Sequence, residues 1–188
     1  MAQPKPRVAV YADIEALPEN MVGEILFGVL HAHPRPAPRH LFASSRLGGE
    51  LGGPFDQGRC GPGGWKVLDW PELHLGEHVV VPDLAGWRRE RMPKLPATAY
   101  FETPPDWVCE VLSPSTRTVD RTDKLAVYAA SGVGHAWYVD PDARTLEVLV
   151  LTGGNWLIAA TFKDAETVQA PPFAAHCFAL DVLWPGDE

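Results

Sequence analysis

The sequence predicts a single α/β (α+β) domain in which short strands and helices share one core. Two observations carry this reading. Hydrophobic residues make up 46% of the 188-residue chain against 21% charged, which is enough apolar material for a packed interior. Short apolar runs and helix-like stretches then alternate between turns rich in the chain's 17 glycines and 19 prolines, a pattern that long helices alone cannot satisfy.

Residues 1–17 read as a lead-in, with a short helix over 12–17 stopped by Pro18. Residues 18–184 form the domain and 185–188 a tail. The run over 23–30 is strand-like and carries one carboxylate, Glu24. Residues 33–40, HPRPAPRH, are expected to be irregular, because proline lacks an amide donor and fixes φ. A helix over 40–51 ends among glycines. The Gly-rich stretch 52–64 lacks a following Gly-Lys-Ser/Thr, so it is a turn region feeding a strand at 65–68 and not a phosphate-binding loop. An apolar run at 79–81 enters Pro82-Asp83-Leu84, and 91–105 is a proline-punctuated loop. Residues 107–112 read as a central strand holding Glu110. Ser113-Pro114-Ser115 ends it, and a helix follows over 119–130 with Gly132 just beyond. A strand at 135–139 and a meander around Gly153-Gly154 come next, and an apolar segment at 173–184, with a short helix, closes the chain.

Sixteen Lys and Arg against 24 Asp and Glu give a net charge of −8, which excludes a uniformly basic nucleic-acid wrapper but leaves room for a local cleft. The three widely spaced cysteines form no CxxC, so neither a disulfide framework nor a thiolate zinc site is expected. No stretch reaches the roughly 18 apolar residues of a membrane span, and the start lacks a signal-peptide core. A cytoplasmic protein without membrane partners is the expectation.

Glu24, Asp83 and Glu110 each sit in or beside an apolar run, where an ionised carboxylate is costly unless paired or metal-bound. Strand alternation could equally turn each of them outward. Lys124 lies on a helix whose Leu125, Tyr128 and Ala129 can pack inward. It could pair with Asp120 at i,i+4 on the surface, or point back at the carboxylates if the helix crosses the sheet. Asp120 itself reads as a helix-face acid near an N-terminus. Arg39, Arg88, Arg89 and Arg91 could touch phosphates or line a solvated turn. Most of the seven tryptophans read as core, with Trp65 and Trp70 flanking the Gly-rich turn as candidates for exposure.

The strings GEILFG, PAPRH and VVVPDLAGWRRERMP, and above all PDWVCEVLSPSTRTVDRTDKLAVYAASGVGHAWYVDPDARTLEVL, closely resemble the Uma2-like family of restriction endonucleases. That family is a branch of the PD-(D/E)XK nuclease superfamily. The resemblance runs over about 18–184. It implies a restriction-endonuclease-like core, a mixed central sheet flanked by helices, and a DNA endonuclease activity dependent on Mg²⁺, with Mn²⁺ as a substitute. It places Asp83 and Glu110 as metal ligands and Glu24 as the preceding acid. It also gives His40 some importance, although a surface or structural role fits that residue as well. The superfamily lysine two residues past the Glu is Leu112 here, and Lys124 of the D-R-x-x-K-L-x-x-Y pattern takes its place. The Val111 carbonyl is a further candidate metal ligand. Lys124 would orient or deprotonate water or steady an oxyanion. A homodimer or an unidentified protein partner could supply basic surface that this chain lacks. The alternative is a non-catalytic structural or interaction protein that keeps the nuclease fold. A Ser/His hydrolase lacks its nucleophile elbow.

Overall fold

A computed structural model describes residues 7–186. The part of the lead-in before residue 7 and the last two residues of the tail lie outside the described residues.

The chain enters through a one-turn helix, α1 (Tyr11–Glu15), and a hairpin of β1 (Met21–Leu26) and β2 (Val29–Pro34). The run over 23–30 is thus two strands and a turn. Phe27 and Gly28 reverse the chain at φ +52° and +75°, and at the second of these positions glycine carries no Cβ penalty. The proline-rich stretch is also more regular than expected. Its first two residues finish β2, an edge strand where Pro34 needs no ladder donor, and Pro38 opens α2 (Pro38–Leu51) in its first turn.

Next come β3 (Trp65–Asp69), β4 (Leu73–Leu75), β5 (His78–Val80), β6 (Leu84–Arg88) and β7 (Trp107–Val111). A nearly continuous helical segment then runs through α3 (Arg117–Val119), a π-helical turn (Asp120–Lys124) and α4 (Leu125–Ala130). Strands β8 (His135–Asp140), β9 (Thr145–Thr152) and β10 (Asn155–Lys163) follow. The C-terminal part holds the small pair β11 (Thr167–Val168) and β12 (Phe178–Ala179), then a 3₁₀ turn (Leu180–Leu183) where a short helix was expected.

Two larger sheets result, ordered β2-β1-β5-β4 and β10-β9-β8-β7-β6-β3. The second is mixed, because β7 and β8 are parallel while its other pairs are antiparallel. Parallel neighbours require a crossover, and the helix over 117–130 supplies it. The chain passes from the smaller sheet to the larger at Val81-Pro82-Asp83, between β5 and β6.

The six-stranded sheet is covered on both faces. Trp107, Cys109 and Val111 of β7 pack with α2 and with Phe173 and Trp184 of the C-terminal segment. Val108 and Leu112 pack with α4 and with Leu26, Leu73 and Val80 of the smaller sheet. This alternation follows the two-residue period of a strand buried on both faces, and it sends Glu110 to the α4 side. Gly86 of β6 fits because a Cβ there would meet the rings of Trp107 at 3.2 Å and Trp65 at 3.3 Å. Trp65 is therefore core and not surface.

Candidate active site

The crossover helix lies across the sheet so that Lys124 reaches back over β7. Its ammonium is 2.9 Å from Glu110 Oε2, 3.1 Å from Glu24 Oε1 and 3.5 Å from Asp120 Oδ1, and it donates to the Val81 carbonyl at 3.3 Å. Lys124 is 2% exposed and Glu110 3%. Charges this deep persist only when paired and hydrogen-bonded, and Lys124, Glu110 and Glu24 meet that condition. The π-helical turn at 120–124 brings Asp120 and Lys124 into it together. Single-turn π distortions concentrate at functional sites.

Each acid has its own anchors. Glu110 Oε1 accepts the Tyr128 hydroxyl at 2.5 Å. Asp83 Oδ2 accepts the Val111 amide at 2.7 Å, and its Oδ1 faces His40 Nε2 at 2.5 Å. The antiparallel register Leu84↔Cys109, extended by one residue, sets Asp83 opposite Glu110. Glu24 accepts the Val81 amide at 2.7 Å and lies 3.6 Å from His33 Nε2. Asp120 Oδ2 is buried with no hydrogen-bond partner among the described residues.

Electrostatics separate the carboxylates. Burial works to raise Glu24, but the Lys124 ammonium, His33 and the Val81 amide outweigh it and hold its pKa at about 2. At Glu110 burial dominates and, with Asp120, Asp83 and Glu24 adding repulsion, lifts the carboxyl well above its usual range against the pull of Lys124. Asp120 is raised, again chiefly by burial. Burial disfavours the Lys124 cation, yet Glu110 and Glu24 more than compensate and keep it charged. A glutamate that stays anionic and one that holds a proton more readily flank the same amine.

Asp83, Glu110, Val111 and Lys124 line a cleft of about 240 Å³. Glu24 faces an adjoining cavity of about 100 Å³, and Asp120 and His33 line both. Among the described residues no group of three or more His, Cys, Asp or Glu side chains is arranged to hold a metal ion. The donor chemistry in the cleft nevertheless suits a hard cation that retains several waters, since Asp83, just before β6, and Glu110 of β7 offer carboxylate oxygens. Every oxygen of the two is already engaged once, but a carboxylate oxygen keeps a second lone pair.

The structure thus gathers Glu24, Glu110 and Lys124 directly, with Asp83 beside them on the cleft wall. It adds His33 and Tyr128, which the sequence did not single out, together with His40 and a buried Asp120, for which a surface or structural role fits the sequence as well. Tyr128 carried a usable signal: it is four residues from Lys124 and so shares its helix face. Of the arginines read as phosphate contacts, Arg39 stays exposed, 4.0 Å from Asp142, and the other three go elsewhere. Arg89 pairs with Asp56 at 2.6 Å, Arg91 with Asp106 at 2.8 Å, and Arg88 lies over the Trp65 ring.

The family model that matches residues 11–182 is Uma2, described as "Putative restriction endonuclease". Among solved structures, the chain is similar to one described as a "putative nuclease belonging to DUF820" from Anabaena variabilis. The identity is 22%, the TM-score 0.73, and the match covers 92% of this chain and 96% of that one, which establishes a shared fold. No functionally curated protein matches the chain.

Proposed function

The chain belongs to the Uma2 family, and from that premise we propose that it is a metal-dependent endonuclease hydrolysing phosphodiester bonds in DNA. The observation that carries the reading is the convergence of the Asp83 and Glu110 carboxylates and a buried helix lysine on one cleft. Asp83 and Glu110, with the Val111 carbonyl, would hold Mg²⁺ or Mn²⁺. Such an ion supplies Lewis-acid polarisation of the phosphate and acidification of water.

The protein's own groups do the positioning. His40 and the Val111 amide fix both oxygens of Asp83, and Tyr128 fixes one oxygen of Glu110. Lys124 presents a cation that can orient the attacking water and steady negative charge on the phosphate. Glu24, held anionic, keeps that cation charged and in place.

One observation favours the second reading, a non-catalytic protein that retains the fold. Lys124, Glu110 and Glu24 satisfy one another as an internal ion network without any ligand. Incubation of the pure protein with single-stranded, duplex and branched DNA in Mg²⁺ or Mn²⁺ separates the two. Metal-dependent cleavage of at least one form is expected. A folded protein that cleaves none of them favours the structural reading.

A further inference from the structure

The seven tryptophans divide sharply. Trp87, Trp137, Trp156 and Trp184 donate their indole N–H to main-chain carbonyls, and Trp65 and Trp107 are core. Trp70 does neither. It is half-buried, and its indole N–H has no hydrogen-bond partner among the described residues. It lines the candidate cleft together with Asp83 and Glu110. It also lines an open groove of about 500 Å³ along α2, beside Ser44, Ser45 and Gly48.

Its backbone is held at φ +53°, a left-handed conformation costly for a bulky side chain, and the next residue is Pro71, which further narrows what residue 70 can adopt. The Trp70 amide donates to the Asp83 carbonyl at 3.0 Å, so the aromatic residue and the acid are fixed to each other. Phe27 takes the same conformation at a plain hairpin, so what sets Trp70 apart is its place on the cleft wall, tied to Asp83.

Charge narrows what it can do there. The chain has a net charge of −8, and its arginines at 88, 89 and 91 are committed to structural partners, which leaves Arg35, exposed on the cleft wall, as the arginine placed to meet a phosphate there. Stacking adds binding that one such cation does not supply, and it does so for any sequence, because every base has a π face. The cleft walls suit a flat ring: Pro34, Pro36 and Pro114 supply apolar surface, and Ser113, Ser115 and Thr116, hydrogen-bonded to one another, form a polar rim. Inside a duplex the faces of a base are covered by its neighbours, so only an extruded or unpaired base can meet an indole.

We propose that Trp70 is a stacking platform for one unpaired nucleobase next to the phosphate that an ion held by Asp83 would bind, which makes single-stranded or locally unpaired nucleic acid the preferred substrate. The inference rests on the nuclease reading for the location of that phosphate.

The test is fluorescence anisotropy in Ca²⁺ with three labelled probes: a single-stranded oligonucleotide, the same sequence as duplex, and a single strand with its bases removed. Wild-type protein is expected to bind the first most tightly. Trp70→Ala should weaken that binding roughly 5- to 100-fold, the loss of one stacked base. The same change should leave the baseless strand unaffected, and Trp70→Phe should stay within a few fold of wild type. Trp70→Leu repeats the measurement if circular dichroism shows Trp70→Ala unfolded. Equal single-strand binding by wild type and both non-aromatic variants would overturn the proposal. So would a wild-type preference for duplex, or no binding to any probe. Cleavage in Mg²⁺, followed on the same probes, keeps the readings apart: Trp70-dependent binding without cleavage sinks the nuclease assignment alone, and cleavage indifferent to Trp70 sinks this one alone.

Discussion

Lys124 Nζ stands 2.9 Å from Glu110 Oε2, an ion pair closed between a crossover helix and the central strand beneath it. Glu24 arrives from the smaller sheet and Asp120 from the same helix, so one buried ammonium ties together three segments of the fold. Stability and chemistry are therefore coupled at this point.

Removing the cation leaves several carboxylates buried without compensation. Lys124→Met is expected to destabilise the protein by about 3–5 kcal/mol, the usual cost of breaking a buried pair from one side. Urea unfolding measures it. A loss under 1 kcal/mol would show that the carboxylates simply take up protons when the lysine is gone.

Tyr128 donates to Glu110 from within the core, and burial, reinforced by Glu110, raises its phenol well above its usual range, so it remains a donor at any working pH. Tyr128→Phe should cost about 1.5–3 kcal/mol, the range for a hydrogen bond to a charged group. It should also loosen Glu110, lowering Mn²⁺ affinity in calorimetry. An unchanged unfolding midpoint together with unchanged Mn²⁺ affinity would contradict the role.

His40 holds one oxygen of Asp83 as an outer partner would hold a metal ligand. His40→Ala should weaken Mg²⁺ or Mn²⁺ binding about 10- to 100-fold, the common cost of losing such a partner. Calorimetric titration reads it directly. Unaltered affinity would make His40 a packing residue.

Glu24 makes stability depend on pH in a defined window. Its folded pKa of about 2 lies below the ordinary value of 4.5, so its contribution is complete above pH 4.5 and disappears as pH falls toward 2. A shift of that size is worth about 3 kcal/mol. Glu110 is raised, and its opposite contribution changes at pH above 4.5, outside that window. Wild type should lose stability between pH 4.5 and 2.5 more steeply than Glu24→Gln in urea unfolding. Parallel profiles would argue against the assignment.

Much of this arrangement was legible in the sequence because it is local. Acids inside apolar runs stand out wherever they occur, as Glu24 and Glu110 do, and a lysine beside Leu125 and Tyr128 marks the inward face of a helix. The partners that complete the site are not local. His40 and Asp83 are 43 residues apart, and only the packing of α2 against the sheet end joins them. Asp120 reads as a surface acid until the π-helical turn folds it inward. The hairpin at Phe27-Gly28 was hidden for a different reason: its first turn residue is a phenylalanine at positive φ, and turn chemistry does not predict one there. Strand β6 was hidden by the arginines that follow Trp87, which suggest a loop although the backbone stays paired through Arg88.

The central claim is that Asp83 and Lys124 work on one phosphodiester bond. The measurement is the metal-dependent cleavage rate of wild type, Asp83→Ala and Lys124→Ala on whichever DNA form wild type cuts, each confirmed folded by circular dichroism. Wild type should cleave in Mg²⁺ and stop in EDTA, and each substitution should reduce the rate by about 100-fold or more, as removal of a transition-state charge stabiliser does. Cleavage that proceeds at the wild-type rate in both variants would contradict it.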